Sequence, residues 1–215
     1  MANPLAPYLA PLPLIAVLRG ITPEEIPTIA AVLVDEGFRV LEVPLNSPRP
    51  FQSIRALATT VGDRCLVGAG TVLRAEDVAL VNAAGGRLIV MPHADGAIIR
   101  AAKEQRLVCV PGVATPTEAF AALAAGADGL KMFPADQLPP AAVKAWRAVL
   151  PNDTLLFPVG GIKPETMASY WAAGVSGFGT GSNLYRPGSR ADQVRAVAAA
   201  YAAAFRALPG RGDAA

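Results

Sequence analysis

The sequence predicts an α/β protein, a (β/α)8 TIM barrel with a parallel, eight-stranded sheet. Three observations lead there. An apolar or β-branched run of strand length recurs about every 20 to 27 residues, eight times over. A helix-start signal follows the runs, and glycine closes the helical stretches just before the next run. An open doubly wound sheet is the alternative, but it usually has fewer strands and a glycine fingerprint after the first one. Here the first run ends Leu18-Arg19-Gly20.

In chain order, the runs are Leu14 to Leu18, Phe38 to Val43, Cys65 to Gly70, Arg87 to Met91, Leu107 to Pro111, Gly129 to Phe133, Leu155 to Val159 and Val175 to Gly179. Continuous apolar runs of this kind suit strands covered on both faces. Helices are expected after Thr22-Pro-Glu-Glu, Ser47-Pro, Arg74-Ala-Glu-Asp, Ala94-Asp, Thr115-Pro-Thr-Glu, Leu138-Pro-Pro and Lys163-Pro-Glu-Thr. Proline in several of these lies where a first helical turn has no use for its missing N–H. Gly37, Gly62, Gly85, Gly126 and Gly174 are the expected helix ends. A short helix around Leu5 to Leu9 is expected to cover the barrel floor, and a final helix from Arg190 to about Leu208 closes the ring. One domain, residues 1–208, and a frayed tail, 209–215, follow. Arg211-Gly212-Asp213 in that tail is a chance match to a cell-adhesion triplet, since nothing else in the sequence argues for an extracellular protein.

Composition narrows the function. Hydrophobic residues make up 53% of the 215 and charged ones 17%, enough for a sizeable core and against disorder. The net charge of +2 comes without basic runs, so no nucleic-acid partner is expected. Prolines 7, 11 and 13 break the apolar N-terminal stretch, which lacks a basic start, so neither a signal peptide nor a membrane span is expected. Cys65 and Cys109 sit in apolar runs and suit buried thiols in a reducing, cytoplasmic setting. With a single histidine, His93, a transition-metal site is not expected, nor is a hydrolytic triad. Trp146 and Trp171 suit either core or an interface.

In such a barrel, function collects at the C-terminal ends of the strands. Lys131, flanked by Leu130, Met132 and Phe133, is either a lysine snorkelling to solvent or a desolvated amine with a depressed pKa. A neutral amine attacks ketones to form imines. Glu42 in Leu41-Glu-Val-Pro is costly to bury unless it is paired, with Arg19 or Lys131, or moves protons. Thr71 offers a hydroxyl after Gly68-Ala-Gly, and is either a ligand group or a turn residue. Val159-Gly160-Gly161-Ile162 and Gly177-Phe-Gly-Thr-Gly-Ser182 let backbone N–H groups approach an anion, and barrels often hold phosphate between these two turns. The second run lacks the spacing of a dinucleotide fingerprint, so no nicotinamide cofactor is expected.

Six motifs, Ala16-Val-Leu-Arg-Gly20, Leu41-Glu-Val-Pro-Leu-Asn-Ser-Pro48, Gly68-Ala-Gly-Thr-Val72, Val110-Pro-Gly-Val-Ala-Thr-Pro116, Gly129-Leu-Lys-Met-Phe-Pro134 and Pro158-Val-Gly-Gly-Ile162, together resemble the KDPG/KHG aldolase family. The resemblance runs in order from about residue 12 to residue 186. It implies a class I aldolase, free of cofactor and metal, that splits a 2-keto-3-deoxy-6-phospho sugar acid into pyruvate and D-glyceraldehyde 3-phosphate. In that scheme Lys131 forms the imine, and Glu42 is general base and acid through a bound water. Thr71 and Arg19 hold substrate oxygens, Phe133 and Pro92 wall the pyruvyl part, and Gly160, Gly161, Gly181 and Ser182 bind phosphate. The gluconate-type enzymes resemble Glu-Val-Thr-Leu-Arg-Thr after the second strand and Pro-Thr-Gly-Gly after the seventh. Asn46 and Val159 depart from that pattern and, with Gly181-Ser-Asn-Leu-Tyr185, resemble the galactonate type. The implied substrate is therefore 2-dehydro-3-deoxy-6-phosphogalactonate, with the gluconate epimer as alternative. A phosphosugar epimerase or isomerase using Glu42 as base, and a non-catalytic phosphosugar-binding homologue, are the other readings. The resemblance also implies a homotrimer.

Overall fold

The structure, a computed structural model, describes residues 3–10 and 12–210. The Arg211-Gly212-Asp213 triplet and the end of the expected tail lie outside them. The chain is α/β with parallel strands. Nine strand segments are β1 (Leu14–Val17), β2 (Val40–Pro44), β3 (Leu66–Gly70), β4 (Leu88–Val90), β5 (Val108–Val110), β6 (Gly112–Val113), β7 (Leu130–Met132), β8 (Leu156–Pro158) and β9 (Phe178–Thr180). All eight expected runs carry a strand. The ninth segment arises because Pro111, with no N–H to offer a ladder, separates β5 from β6.

Pairing gives two sheets rather than one continuous ladder, a six-stranded sheet β5-β4-β3-β2-β1-β9 and a three-stranded sheet β6-β7-β8. A parallel bridge between Val159 and Gly179 links the two at the β8 end. Helices intervene: α1 (Ala6–Leu9), α2 (Ile26–Asp35), α3 (Pro50–Val61), α4 (Ala75–Ala83), α5 (Gly96–Glu104), α6 (Pro116–Ala124), α7 (Pro140–Arg147), α8 (Met167–Ala173) and α9 (Ala191–Arg206).

Local chemistry sets their ends. The Asp95 side chain accepts from Ala97 and Ile98 N–H to start α5, and Thr115 with Glu118 forms a capping box ahead of Pro116 on α6. Gly37, Gly85, Gly126 and Gly174 follow their helices with φ between 90° and 104°, as expected. Gly62 differs, with φ −66°. There the chain keeps turning right-handedly, and Cys65 N–H still reaches Val61 carbonyl, so no left-handed residue is needed. After α5 that conformation falls instead on Arg106, φ 59°.

Two apolar clusters divide the strands by side-chain parity. Leu14, Ala16, Leu41, Val43, Val67, Ala69, Ile89, Cys109, Leu130, Met132 and Leu156 pack with the helices. The alternate residues Ile15, Val40, Leu66, Leu88, Val108 and Phe157 form an inner cluster drawn from both sheets, joined by Leu5 and Leu9 from the α1 segment. The expected floor helix is therefore present, its two leucines plugging the inner face. Trp146 is buried, and Trp171 packs edge-on to Phe205 at 5.2 Å while its ring N–H donates to Pro209 carbonyl. Trp146 thus serves the core, and Trp171 packs against it while partly buried.

Asp128 ties the entry of β7 to its surroundings. Its carboxylate pairs with Lys103 Nζ at 2.6 Å and accepts from Cys109 N–H at 2.8 Å. Asp128→Ala is expected to lower stability by about 1–3 kcal/mol, because it leaves the Cys109 N–H without its acceptor and takes the carboxylate, itself 10% exposed, from Lys103, which keeps only Leu107 carbonyl. Urea denaturation measures this, and a loss below about 0.5 kcal/mol, the range of ordinary surface changes, would contradict it.

Candidate active site

The site assembles at the C-terminal side of the strands. Strand alternation sends Leu130 and Met132 toward the helices and leaves Lys131 on the inner face, level with Phe157 across β8. On β2 the same alternation puts Glu42 inward, level with Val17 and Gly68. Lys131 is 5% exposed and Glu42 1%. A side chain at Gly70 would collide with the Glu42 carboxylate, so the second glycine of Gly68-Ala-Gly makes the space the acid occupies.

Burial is what moves both ionisations. It drives the Glu42 carboxyl up to about 7, while the charges of Lys131 and Arg19 pull it down. It also depresses the Lys131 ammonium, opposed by Glu42 and reinforced by Arg19. Glu42 Oε2 has no hydrogen-bond partner among the described residues. A buried carboxylate oxygen without a donor is costly to keep for stability alone. Lys131 Nζ lies 4.5 Å from the centre of the Phe133 ring.

Arg19 follows β1 and is exposed, with Nη1 donating to Asn46 Oδ1 at 2.7 Å and Nη2 to Thr71 Oγ1 at 3.4 Å. Thr71 is a non-glycine residue at φ 52°, which holds its hydroxyl beside the guanidinium. A cavity of about 410 Å³ opens between the strand ends, a volume fitting a small organic substrate. Lys131, Phe133, Arg19, Val159, Gly160, Gly161, Gly181 and Ser182 line it.

Positive φ at Gly160 and Gly161, 105° and 71°, turns the chain sharply after β8. After β9 the Gly181 carbonyl accepts from Leu184 and Tyr185 N–H, a single helical turn whose first N–H groups, at Ser182 and Asn183, have no partner within it. Asn183 Nδ2 donates to Ile162 carbonyl, tying the two turns together.

Of the expected site residues, Glu42 and Thr71 flank the cavity through Lys131 and Arg19 rather than lining it. Pro92 does not line it. The β4 end runs so close to Gly112 that a side chain there would strike the Pro92 backbone, and Pro92 is partly buried. Sequence reasoning did not find the Asn46 partnership with Arg19, nor Tyr185 and Arg186, which also line the cavity. Their signal is adjacency to Gly181-Ser182, with Tyr185 also closing the galactonate-type motif. No cluster of three or more His, Cys, Asp or Glu suited to a metal ion occurs among the described residues.

Fold and site together define a parallel α/β protein with a buried lysine at the wall of a substrate-sized cavity. The chain belongs to the KDPG and KHG aldolase family, whose model matches residues 7–199. It is 48% identical over 198 residues to the probable 2-dehydro-3-deoxy-6-phosphogalactonate aldolase of Rhizobium meliloti (strain 1021), covering 92% of this chain and 93% of that protein. The native KDPGal structure superposes with a TM-score of 0.89 at 47% identity, over 91% of this chain and 95% of the other. The KDPG aldolase of Legionella pneumophila, solved with pyruvate captured at low pH as a covalent carbinolamine intermediate, gives 0.77 at 27% identity over 94% and 96%.

Proposed function

We propose that the protein is a class I aldolase that cleaves 2-dehydro-3-deoxy-6-phosphogalactonate to pyruvate and D-glyceraldehyde 3-phosphate. The observation that carries this reading is the depressed Lys131 amine at the wall of the cavity, next to a buried carboxylate poised near 7. The neutral amine adds to the C2 ketone, and loss of water gives the protonated imine. Glu42, directly or through a water, takes the proton of the C4 hydroxyl. The C3–C4 bond breaks, its electrons flow into the imine, and the aldehyde departs. The Glu42 carboxyl then returns a proton to C3 of the enamine, and water releases pyruvate from Lys131. Arg19, oriented by Asn46, and Thr71 hold substrate oxygens, and the paired turns at Gly160-Gly161 and Gly181-Ser182 receive the phosphate. Phe133 walls the pyruvyl part.

Borohydride reduction in the presence of pyruvate, followed by peptide mapping, tests the reading. A pyruvyl adduct on the Lys131 peptide is expected, and its absence from folded protein would overturn it. The galactonate assignment rests on kinship with the Rhizobium relative and on Val159, 8% exposed in the cavity wall. Val159→Thr is expected to shift the kcat/KM ratio about tenfold toward the gluconate epimer, because a hydroxyl there can bond the inverted C4 group. An unchanged ratio would remove Val159 from the specificity argument.

We also infer that residues 1–208 form one domain and that the two sheets are a single (β/α)8 barrel. β5 and β6 then act as one strand interrupted at Pro111, and the Val159–Gly179 bridge closes the ring. The shared inner cluster supports this closure. The free, buried Cys65 and Cys109 support a cytoplasmic setting, and no helix among the described residues is long and apolar enough to cross a membrane. A homotrimer is the expected assembly, measurable by sedimentation.

A further inference from the structure

We propose that Glu25 is a positioning residue for the anion-binding end of the cavity, clamping the β9–α9 turn to the β1–α2 turn through its carboxylate. The proposal rests on the phosphate-binding role given above to the turn at Gly181-Ser182. Glu25 stands immediately before α2, and its two oxygens face different parts of the chain. Oε2 accepts from Thr22 N–H and Thr22 Oγ1, both at 2.9 Å. That half is an ordinary helix-start arrangement. Oε1 accepts from Tyr185 Oη at 2.9 Å and Gly188 N–H at 3.3 Å, residues 160 and 163 positions away. No local capping role calls for that second pair.

The two turns are fitted to one another around this carboxylate. A side chain at Gly20 would come within 2.6 Å of Pro187 Cγ, so the turn beyond Arg19 packs directly under the β9–α9 turn. Gly20 N–H is fixed in turn by Ser47 Oγ at 2.9 Å. Within the β9–α9 turn, Arg186 Nε donates to Ser182 carbonyl at 3.1 Å, while the Tyr185 side chain, 2% exposed, reaches from the cavity to Glu25. Glu25 itself does not line the cavity. Burial opposes its ionisation, but the donors from Thr22, Tyr185 and Gly188 hold the carboxyl below its ordinary value, so it stays an acceptor at neutral pH. An ionised acceptor at that place fixes the distance between Arg19 on one turn and Ser182 on the other. Those residues meet opposite parts of a long anionic substrate.

Glu25→Gln keeps the shape and one acceptor oxygen but turns an amide toward either Tyr185 and Gly188 or Thr22. The expected result is a KM for the phosphorylated keto acid raised about tenfold, with inorganic phosphate binding weakened by a similar factor, the effect of one lost charge-assisted bond. Borohydride trapping of pyruvate, which carries no phosphate, is expected to proceed at the wild-type rate. Tyr185→Phe, which removes one of the four donors, is expected to move KM in the same direction by less. An unchanged KM and phosphate affinity in Glu25→Gln would overturn the clamp, as would a pyruvate trapping rate that falls in proportion, the mark of a general structural role. Calorimetry with inorganic phosphate needs no turnover. Weakened phosphate binding in the variant therefore supports the clamp even if wild-type protein formed no pyruvate adduct, the result that would overturn the aldolase reading instead.

Discussion

Lys131→Ala is expected to lower kcat by at least about a thousandfold and to abolish the borohydride-trapped adduct with pyruvate. No other lysine among the described residues lines the cavity, so none of them stands ready to take over imine formation. The fold is expected to survive, since the substitution removes a desolvated amine that burial already disfavours as a cation. Loss of Lys131 also takes away a charge that pulls the Glu42 carboxyl down, so the acid is driven further toward its neutral form. Lys131→Met, closer in volume, controls for packing. Steady-state kinetics and thermal melts check these outcomes, and retention of a tenth of wild-type turnover would sink the assigned role.

Glu42→Gln is expected to cut kcat by about 10²- to 10⁴-fold, the range typical of a lost general base and acid, while pyruvate binding survives. The wild-type pH profile carries a matching signature. With the carboxyl at about 7, the base form is lost as pH falls through 7, so activity drops on the acid side with a midpoint near that value. The variant should lose that limb.

Stability follows the opposite sense. A carboxyl raised from 4.5 to about 7 by folding binds its proton more tightly in the native state across that window. Its favourable contribution is complete below pH 4.5 and is lost as pH rises through 7. Between those limits the stability difference should move toward Glu42→Gln by on the order of 3 kcal/mol. Urea midpoints at pH 5 and pH 8 measure it. A wild-type acid limb near 4.5 would show that burial does not control this group.

The strands were legible because a covered parallel strand is almost continuously apolar, and the eight runs meet that demand apart from Arg39, Glu42, Arg87, Lys131 and Ser176. The break at Pro111 was not, since a proline ending a run reads as the strand's limit, yet Gly112 and Val113 resume pairing with β7. Helix ends written in glycine were readable where the backbone turns left-handed and misleading at Gly62, where it does not. Lys131 and Glu42 stood out because a charge in an apolar run is an exception that needs a reason. Asn46, Tyr185 and Glu25 gave no such signal. Polar residues in turns are ordinary, and what distinguishes these is a partner far off in sequence, such as Arg19 for Asn46 or Tyr185 for Glu25. Pro92 stands apart from the cavity lining, because proximity of a turn to the strand ends does not by itself bring a residue to the wall.

The floor formed by Leu5 and Leu9 imposes an order on events above it. Leu5 and Leu9 cover the inner cluster at that end, and the cavity that Lys131 lines also reaches Arg19 and Arg186. In the proposed mechanism the pyruvyl half is tethered deepest, at the lysine, and the phosphorylated half would lie between it and solvent. The aldehyde must therefore depart before pyruvate, and in the condensing direction pyruvate must enter first. A pocket entered from one side would work as a queue in that reaction, with the half held by the lysine at the back of it and the short N-terminal helix behind that.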